Sequence, residues 1–126
     1  VTMRLAALLL VASFLAAACS GGDDTPNSIP VTVDPTAVTP GGTFSLTAGV
    51  GKEWDCSTTI VYPGVGAVRG GKGGVEETDV LQRWTREVPA DAQPGTANIA
   101  VYCEWTERGP LGAVGTGLAT VEVVAQ

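Results

Sequence analysis

Two short segments hold most of the residues in this chain that could do chemistry: Glu53-Trp54-Asp55-Cys56 and Cys103-Glu104-Trp105. They are near mirror images, each setting a cysteine beside an acid and a tryptophan. If the cysteines pair, the segments meet. The two-residue period of extended chain then puts Trp54 and Trp105 on the cysteine side and turns Asp55 and Glu104 the other way. A carboxylate pair flanked by sugar-stacking indoles is the equipment of a glycosidase. The same residues also make a disulfide packed by indoles with two solvated acids outside. The second reading is adopted, because a small β-domain offers no deep cleft for a sugar ring, and Trp54 and Trp105 are kept as candidate aromatic contacts.

The remaining candidates are weaker. Gly66 to Lys72 spells the GxxxxGK of a phosphate-binding loop, but Gly73 stands where Ser or Thr should hold Mg²⁺, and no βαβ unit surrounds it. Its bland reading is a flexible connection. Its functional reading is a candidate binding loop in which Arg69 and Lys72 contact an anionic partner. Glu76, Glu77 and Asp79 could be calcium ligands, yet they lack the alternating Asp/Asn and Gly of a calcium loop, and a solvated acidic turn is expected instead. The chain has no histidine, so Ser-His, Cys-His and His-metal chemistry are excluded. The expectation is a non-enzyme with no catalytic residue, no metal and no cofactor.

The third cysteine belongs to a different problem. Arg4 is the only charge before Asp23, and an apolar run follows from Leu5 to Ala18, shorter than a spanning helix needs and ending in small residues. Leu15-Ala16-Ala17-Ala18-Cys19 then matches the box cut by lipoprotein signal peptidase, although Ala16 stands where leucine is more usual. Residues 1–18 are therefore expected to be a lipoprotein signal peptide, with Cys19 lipidated and 19–28 a flexible tether. The alternative is a plain secretory signal cut at an Ala-x-Ala site that abuts a cysteine. Val1 suggests a GTG start codon, or a start at Met3. Either way the expected location is outside the cytoplasm, in the first case on the outer face of the membrane. There the two leftover thiols, Cys56 and Cys103, should pair. Closing a loop of roughly fifty residues is worth about 4 kcal/mol in the chain-entropy model. A metal site built on them would lack further Cys or His ligands.

The elements that must position these residues read as strands. The 126 residues include seventeen glycines and eight prolines, and only 16% are charged. Net charge is −6, which argues against nucleic acid as a partner. No window keeps helical spacing for long. Val75 to Glu87 is the best helical candidate, and it is broken by Thr78 and Thr85. Val31 and Val33 alternate with polar neighbours, as do Phe44, Leu46, Ala48 and Val50. Cys56, Thr58, Ile60 and Tyr62 share a face. Val80 and Trp84 bracket a polar Gln82 in a weaker run that continues to Arg86 and Val88. Ala97, Ile99, Val101, Cys103 and Trp105 share period two, and Ala119, Val121 and Val123 close the chain. The connections Pro63–Gly74 and Thr106–Gly117 are expected to lack structure of their own and to be the places where function would sit.

Val-Thr-Val-Asp-Pro at 31–35, Val-Thr-Pro-Gly-Gly-Thr-Phe-Ser-Leu-Thr-Ala at 38–48 and Val-Pro-Ala-Asp-Ala-Gln-Pro-Gly-Thr at 88–96, with the Cys56…Cys103 spacing, carry a resemblance. Together they resemble the immunoglobulin-like domains of bacterial surface and secreted lipoproteins. The resemblance implies an all-β fold, an immunoglobulin-like β-sandwich of about seven strands over 29–126, with Phe44 and Leu46 on its second strand and Cys103 on its sixth. Two residues depart from the antibody pattern. Val101 occupies the place of the corner tyrosine, and Cys56 follows the Phe44 strand, so its bridge need not be the inter-sheet one. The expected role is non-catalytic binding or structural interaction at the cell envelope. Partners would be the membrane, through the lipid anchor, and an unidentified envelope protein or polysaccharide. The alternative is a small-ligand or polysaccharide binder acting through loops and exposed aromatics.

Overall fold

A computed structural model of the chain describes residues 28–71, 73–105 and 113–126. The expectations for the signal peptide 1–18, lipidated Cys19, nearly all of the tether, Lys72 and residues 106–112 fall outside the described residues. Nine strands follow one another: β1 (Val31–Asp34), β2 (Ala37–Val38), β3 (Thr43–Ala48), β4 (Trp54–Tyr62), β5 (Gly66–Arg69), β6 (Val75–Glu77), β7 (Gln82–Glu87), β8 (Gly95–Trp105) and β9 (Val114–Val123). They form a four-stranded sheet in the order β1-β3-β7-β6 and a five-stranded sheet in the order β2-β9-β8-β4-β5. The fold is all-β, and no helix occurs among the described residues.

One face of each sheet is apolar because the sequence alternates, and the two apolar faces share a core. Phe44, Leu46 and Ala48 from β3 meet Ile60 and Tyr62 from β4, Ile99 and Val101 from β8, and Val121 from β9. Leu46 is fully buried, and each large aliphatic or aromatic side chain taken from water here contributes about 1.5–3 kcal/mol. The expected faces of these strands are the observed ones. β8 runs unbroken through Ala97, Ile99, Val101 and Cys103, all inward.

Four expectations need correction. About seven strands were expected, and the structure has nine, because β2, β5 and β6 are short and poorly patterned. The stretch Pro63–Gly74 is not a structureless connection. Val65 N–H donates to the Tyr62 carbonyl, and β5 returns as a hairpin against β4 with Thr59 opposite Arg69. Val80, expected in line with Trp84, is 72% exposed. The chain turns just there, since the Thr78 hydroxyl accepts the N–H groups of Val80 and Leu81. β9 also starts earlier than the apolar run Ala119–Val123, taking up Val114–Gly117 from what was expected to be connection.

The start of the described chain joins both sheets. Ser28 bridges Thr116 of β9 in parallel, Ile29 N–H donates to the Thr116 carbonyl, and β1 then pairs with β3 in the other sheet. After the cis Asp34–Pro35 peptide the chain returns to β9 as β2. Gly117 is what lets this segment lie so close. A Cβ there would strike the Ile29 carbonyl oxygen and a Val31 methyl. Gly117→Ala is therefore expected to lower Tm by roughly 5 °C or more, the effect of overpacking against a backbone that must shift. Thermal melting checks this, and an unchanged Tm would mean the Ile29 segment does not rest on β9.

Candidate functional site

The ladder between β4 and β8 positions both of the segments singled out by the sequence. Its register runs from Trp54 opposite Trp105, through Asp55 opposite Glu104 and Cys56 opposite Cys103, to Val61 opposite Asn98. Cys56 and Cys103 are disulfide-bonded across 47 residues, with Cα atoms 4.0 Å apart. The bridge therefore joins neighbouring strands of one sheet. That short separation marks a non-hydrogen-bonded pair, where side chains of adjacent strands come closest. A disulfide of this kind points to an oxidising, extracytoplasmic compartment.

Trp54 and Trp105 lie on the cysteine side, as expected, half-buried and edge-to-face with ring centroids 5.2 Å apart at 70°. Such a pair contributes about 0.5–1.5 kcal/mol beyond its buried area. The buried Gln82 holds this end of the molecule together. Its Nε2 donates to the carbonyls of Gly51 at 2.9 Å and Trp54 at 2.8 Å, tying β7 in one sheet to β4 in the other. Asp55 and Glu104 are exposed on the opposite face. The Tyr102 hydroxyl donates to Glu104 Oε1 at 3.0 Å, which holds the Tyr102 pKa above the ordinary value. A hollow of about 190 Å³ lies beside these acids.

Of the other candidates, Glu76 lies 3.7 Å from Arg83 and Asp79 lies 3.1 Å from Lys52, so two of the three acids weighed as calcium ligands face cations. The described letters of GxxxxGK, Gly66 to Gly71, fall on β5, in an antiparallel hairpin with β4, and on the two residues after it. Arg69 is the last residue of that strand, exposed, and so belongs to a strand end rather than to a free loop.

A larger hollow was not foreseen. Among the described residues β5 pairs only with Thr59–Tyr62, and no other strand covers the first half of β4 on that side. Gly70 N–H donates to the Thr58 carbonyl, and the chain then leaves for β6 in the other sheet. Cys56, two residues before Thr58 in the same orientation, turns its backbone N–H and C=O away from β8 toward this uncovered edge. Between that edge and β7 lies a groove of about 550 Å³ lined by Ser57, Thr58, Thr59, Arg69, Trp84, Arg86 and Tyr102, with Cys56 and Gly70 at its margin.

Arg86 is the unusual member. It is 6% exposed. Its Nη2 donates to Thr58 Oγ1 at 3.2 Å and its Nη1 to the Thr85 carbonyl at 3.2 Å, while its buried Nε–H has no partner. Among the described residues no carboxylate lies within ion-pairing distance of it. Burial lowers its pKa from the ordinary value, opposed by Tyr62, whose own pKa is raised by burial. A guanidinium still keeps its proton in any folded protein at ordinary pH, so a positive charge sits between the sheets on two neutral acceptors. Sequence reasoning placed Arg86 in register with Trp84 and Val88 but did not single it out. A charged residue in the inward register of a strand was the available signal.

No protein-family model and no curated protein matches this sequence. Among the described residues, no group of three or more acids, cysteines or histidines is placed to hold a metal ion, and no helix is long and apolar enough to cross a membrane.

The pairing of β4 with β8 is expected to depend on the bridge. The double change Cys56→Ala with Cys103→Ala should cost about 4 kcal/mol and many degrees of Tm. Denaturant melts of the two proteins, with thiol titration of the unreduced parent, check this. A parent in which Cys56 and Cys103 titrate as free thiols, or an unchanged melt, would contradict it.

Proposed function

We propose that the chain is a non-catalytic binding module of the cell envelope: an immunoglobulin-like β-sandwich, exported and held on the outer face of the membrane by lipid on Cys19. Support for the immunoglobulin-like assignment comes from strand order. The sheets β1-β3-β7-β6 and β2-β9-β8-β4-β5 follow the order of an immunoglobulin domain, A-B-E-D facing G-F-C with an extra strand at each edge of the second sheet. In those terms the disulfide joins strands C and F within one sheet, replacing the B–F bridge between sheets. Export is supported by the disulfide and by the apolar run that ends at Cys19.

The observation that carries the binding role is the donor set of the groove beside β4. It offers guanidinium and hydroxyl groups, and among the described residues its lining contains no carboxylate to act as general base. Such a site is equipped to hold a polar ligand and has no evident means of transforming it. This favours recognition through the groove over recognition through Asp55 and Glu104, which lie on an open sheet face.

The test has two arms. With a fatty-acid analogue, the wild-type chain should be labelled and the Cys19→Ala chain should not; equal labelling would remove the anchor. The unanchored Cys19→Ala chain should still sediment with purified cell-wall polysaccharide. Failure to sediment with any envelope fraction would remove the binding role.

A further inference from the structure

We propose that the groove between β4 and β7 binds an oxyanion carried on a small polar body, the carboxylate or phosphate of an acidic sugar. Arg86 holds the charge, and Arg69 is the second cation at the mouth. The inference deepens the binding role proposed above and rests on it.

A guanidinium has five N–H donors. Thr58 Oγ1 and the Thr85 carbonyl accept two of those on Arg86, and the buried Nε–H has no acceptor among the described residues. Leaving a charged donor dry and unpaired is among the costliest arrangements in a protein interior, and an anion in the groove would offset the charge of the guanidinium. The distribution of acids sharpens the point. The chain has thirteen acids against seven bases. The exposed Lys52 and Arg83 each face a carboxylate, while neither groove arginine has one among the described residues. An acidic protein that keeps two arginines of one groove free of its own carboxylates keeps them for an anion from outside.

The rest of the lining sets the size and character of the ligand. At about 550 Å³ the hollow is far larger than a bare ion fills, and it falls within the roughly 300–1,000 Å³ typical of small-ligand sites. Ser57 and Thr59 bring hydroxyls that suit a polyol. Gly71, at φ +80°, passes beside the guanidinium without a side chain. A Cβ there would make only ordinary contact with Arg86, 3.4 Å from Cδ and 4.0 Å from Nε, so it is the positive φ that calls for glycine.

The disulfide-intact full chain, ¹⁵N-labelled in nonionic detergent, is titrated with glucuronate, glucose 6-phosphate, inorganic phosphate and neutral glucose while the Arg86 Nε–H resonance is followed. The resonance should shift saturably with glucuronate or with glucose 6-phosphate, and stay in place with glucose. Response to the first identifies a carboxylate ligand, and response to the second a phosphate. Arg86→Met should weaken binding at least about tenfold, the effect of losing a charge-assisted hydrogen bond. Arg69→Gln, at an exposed site that leaves the fold intact, should weaken it by about two- to fivefold and flatten its dependence on salt. An Arg86 resonance unmoved by every anion at tens of millimolar overturns the proposal, as does binding unchanged in both variants. Inorganic phosphate binding as tightly as either sugar overturns the sugar body. Wall sedimentation that persists while no anion moves Arg86 removes the groove and leaves the binding role. Anion binding without sedimentation removes the role and leaves the groove.

Discussion

The register of β4 against β8 is the constraint on which the rest of the molecule depends. Strand side chains alternate with period two, so a slip of one residue would exchange every inward group for an outward one. With Cys56 opposite Cys103, Thr58 and Ile60 face Val101 and Ile99 in the core, the two indoles close its end, and Asp55 and Glu104 are sent to water. The disulfide pins that register covalently. A marginally stable fold of this size gains from such a lock, because a few kcal/mol is a large share of its stability.

The groove is a consequence of the same register. Thr58 faces inward because Cys56 does, and its hydroxyl is there to accept from Arg86 of the opposite sheet. β5 stops at Arg69, opposite Thr59, so the edge of β4 below that point is left uncovered. Gln82 and Arg86, on the same face of β7, both link the sheets through polar contacts, and they differ in kind. Gln82 finds two carbonyls for its amide and is satisfied. Arg86 carries a full charge and leaves Nε–H unpaired. The first has the character of a structural clamp, and the second that of a site awaiting a counter-charge.

Much of the fold was legible because burial on one face writes itself as alternation. Phe44-Leu46-Ala48, Cys56-Thr58-Ile60-Tyr62 and Ala97 through Cys103 all face inward as the sequence indicates, and the pairing of Cys56 with Cys103 follows from cysteine count and compartment. β6 was illegible because Val75, Glu76 and Glu77 are all exposed and print no pattern. β5 reads as an unstructured connection because glycines surround its two apolar residues, although Val68 packs against the core. Val80 misled in the opposite sense, since its apolar side chain extends a period that the Thr78 turn interrupts. The groove could not be read at all. It arises where one strand ends beside another sheet, among residues far apart in sequence, and its central residue is a charge in a position where hydrophobic patterning expects none.

The central claim is that Arg86 is held inside for a ligand and not for the fold. Equilibrium denaturation of the oxidised wild-type and Arg86→Met chains, without added anions, tests it most directly. Methionine fills similar space without a charge to desolvate, so the variant is expected to be as stable as the parent or more so, by up to about 1–4 kcal/mol. A variant destabilised by about 2 kcal/mol or more would contradict the account, and would make the guanidinium a structural link between the sheets.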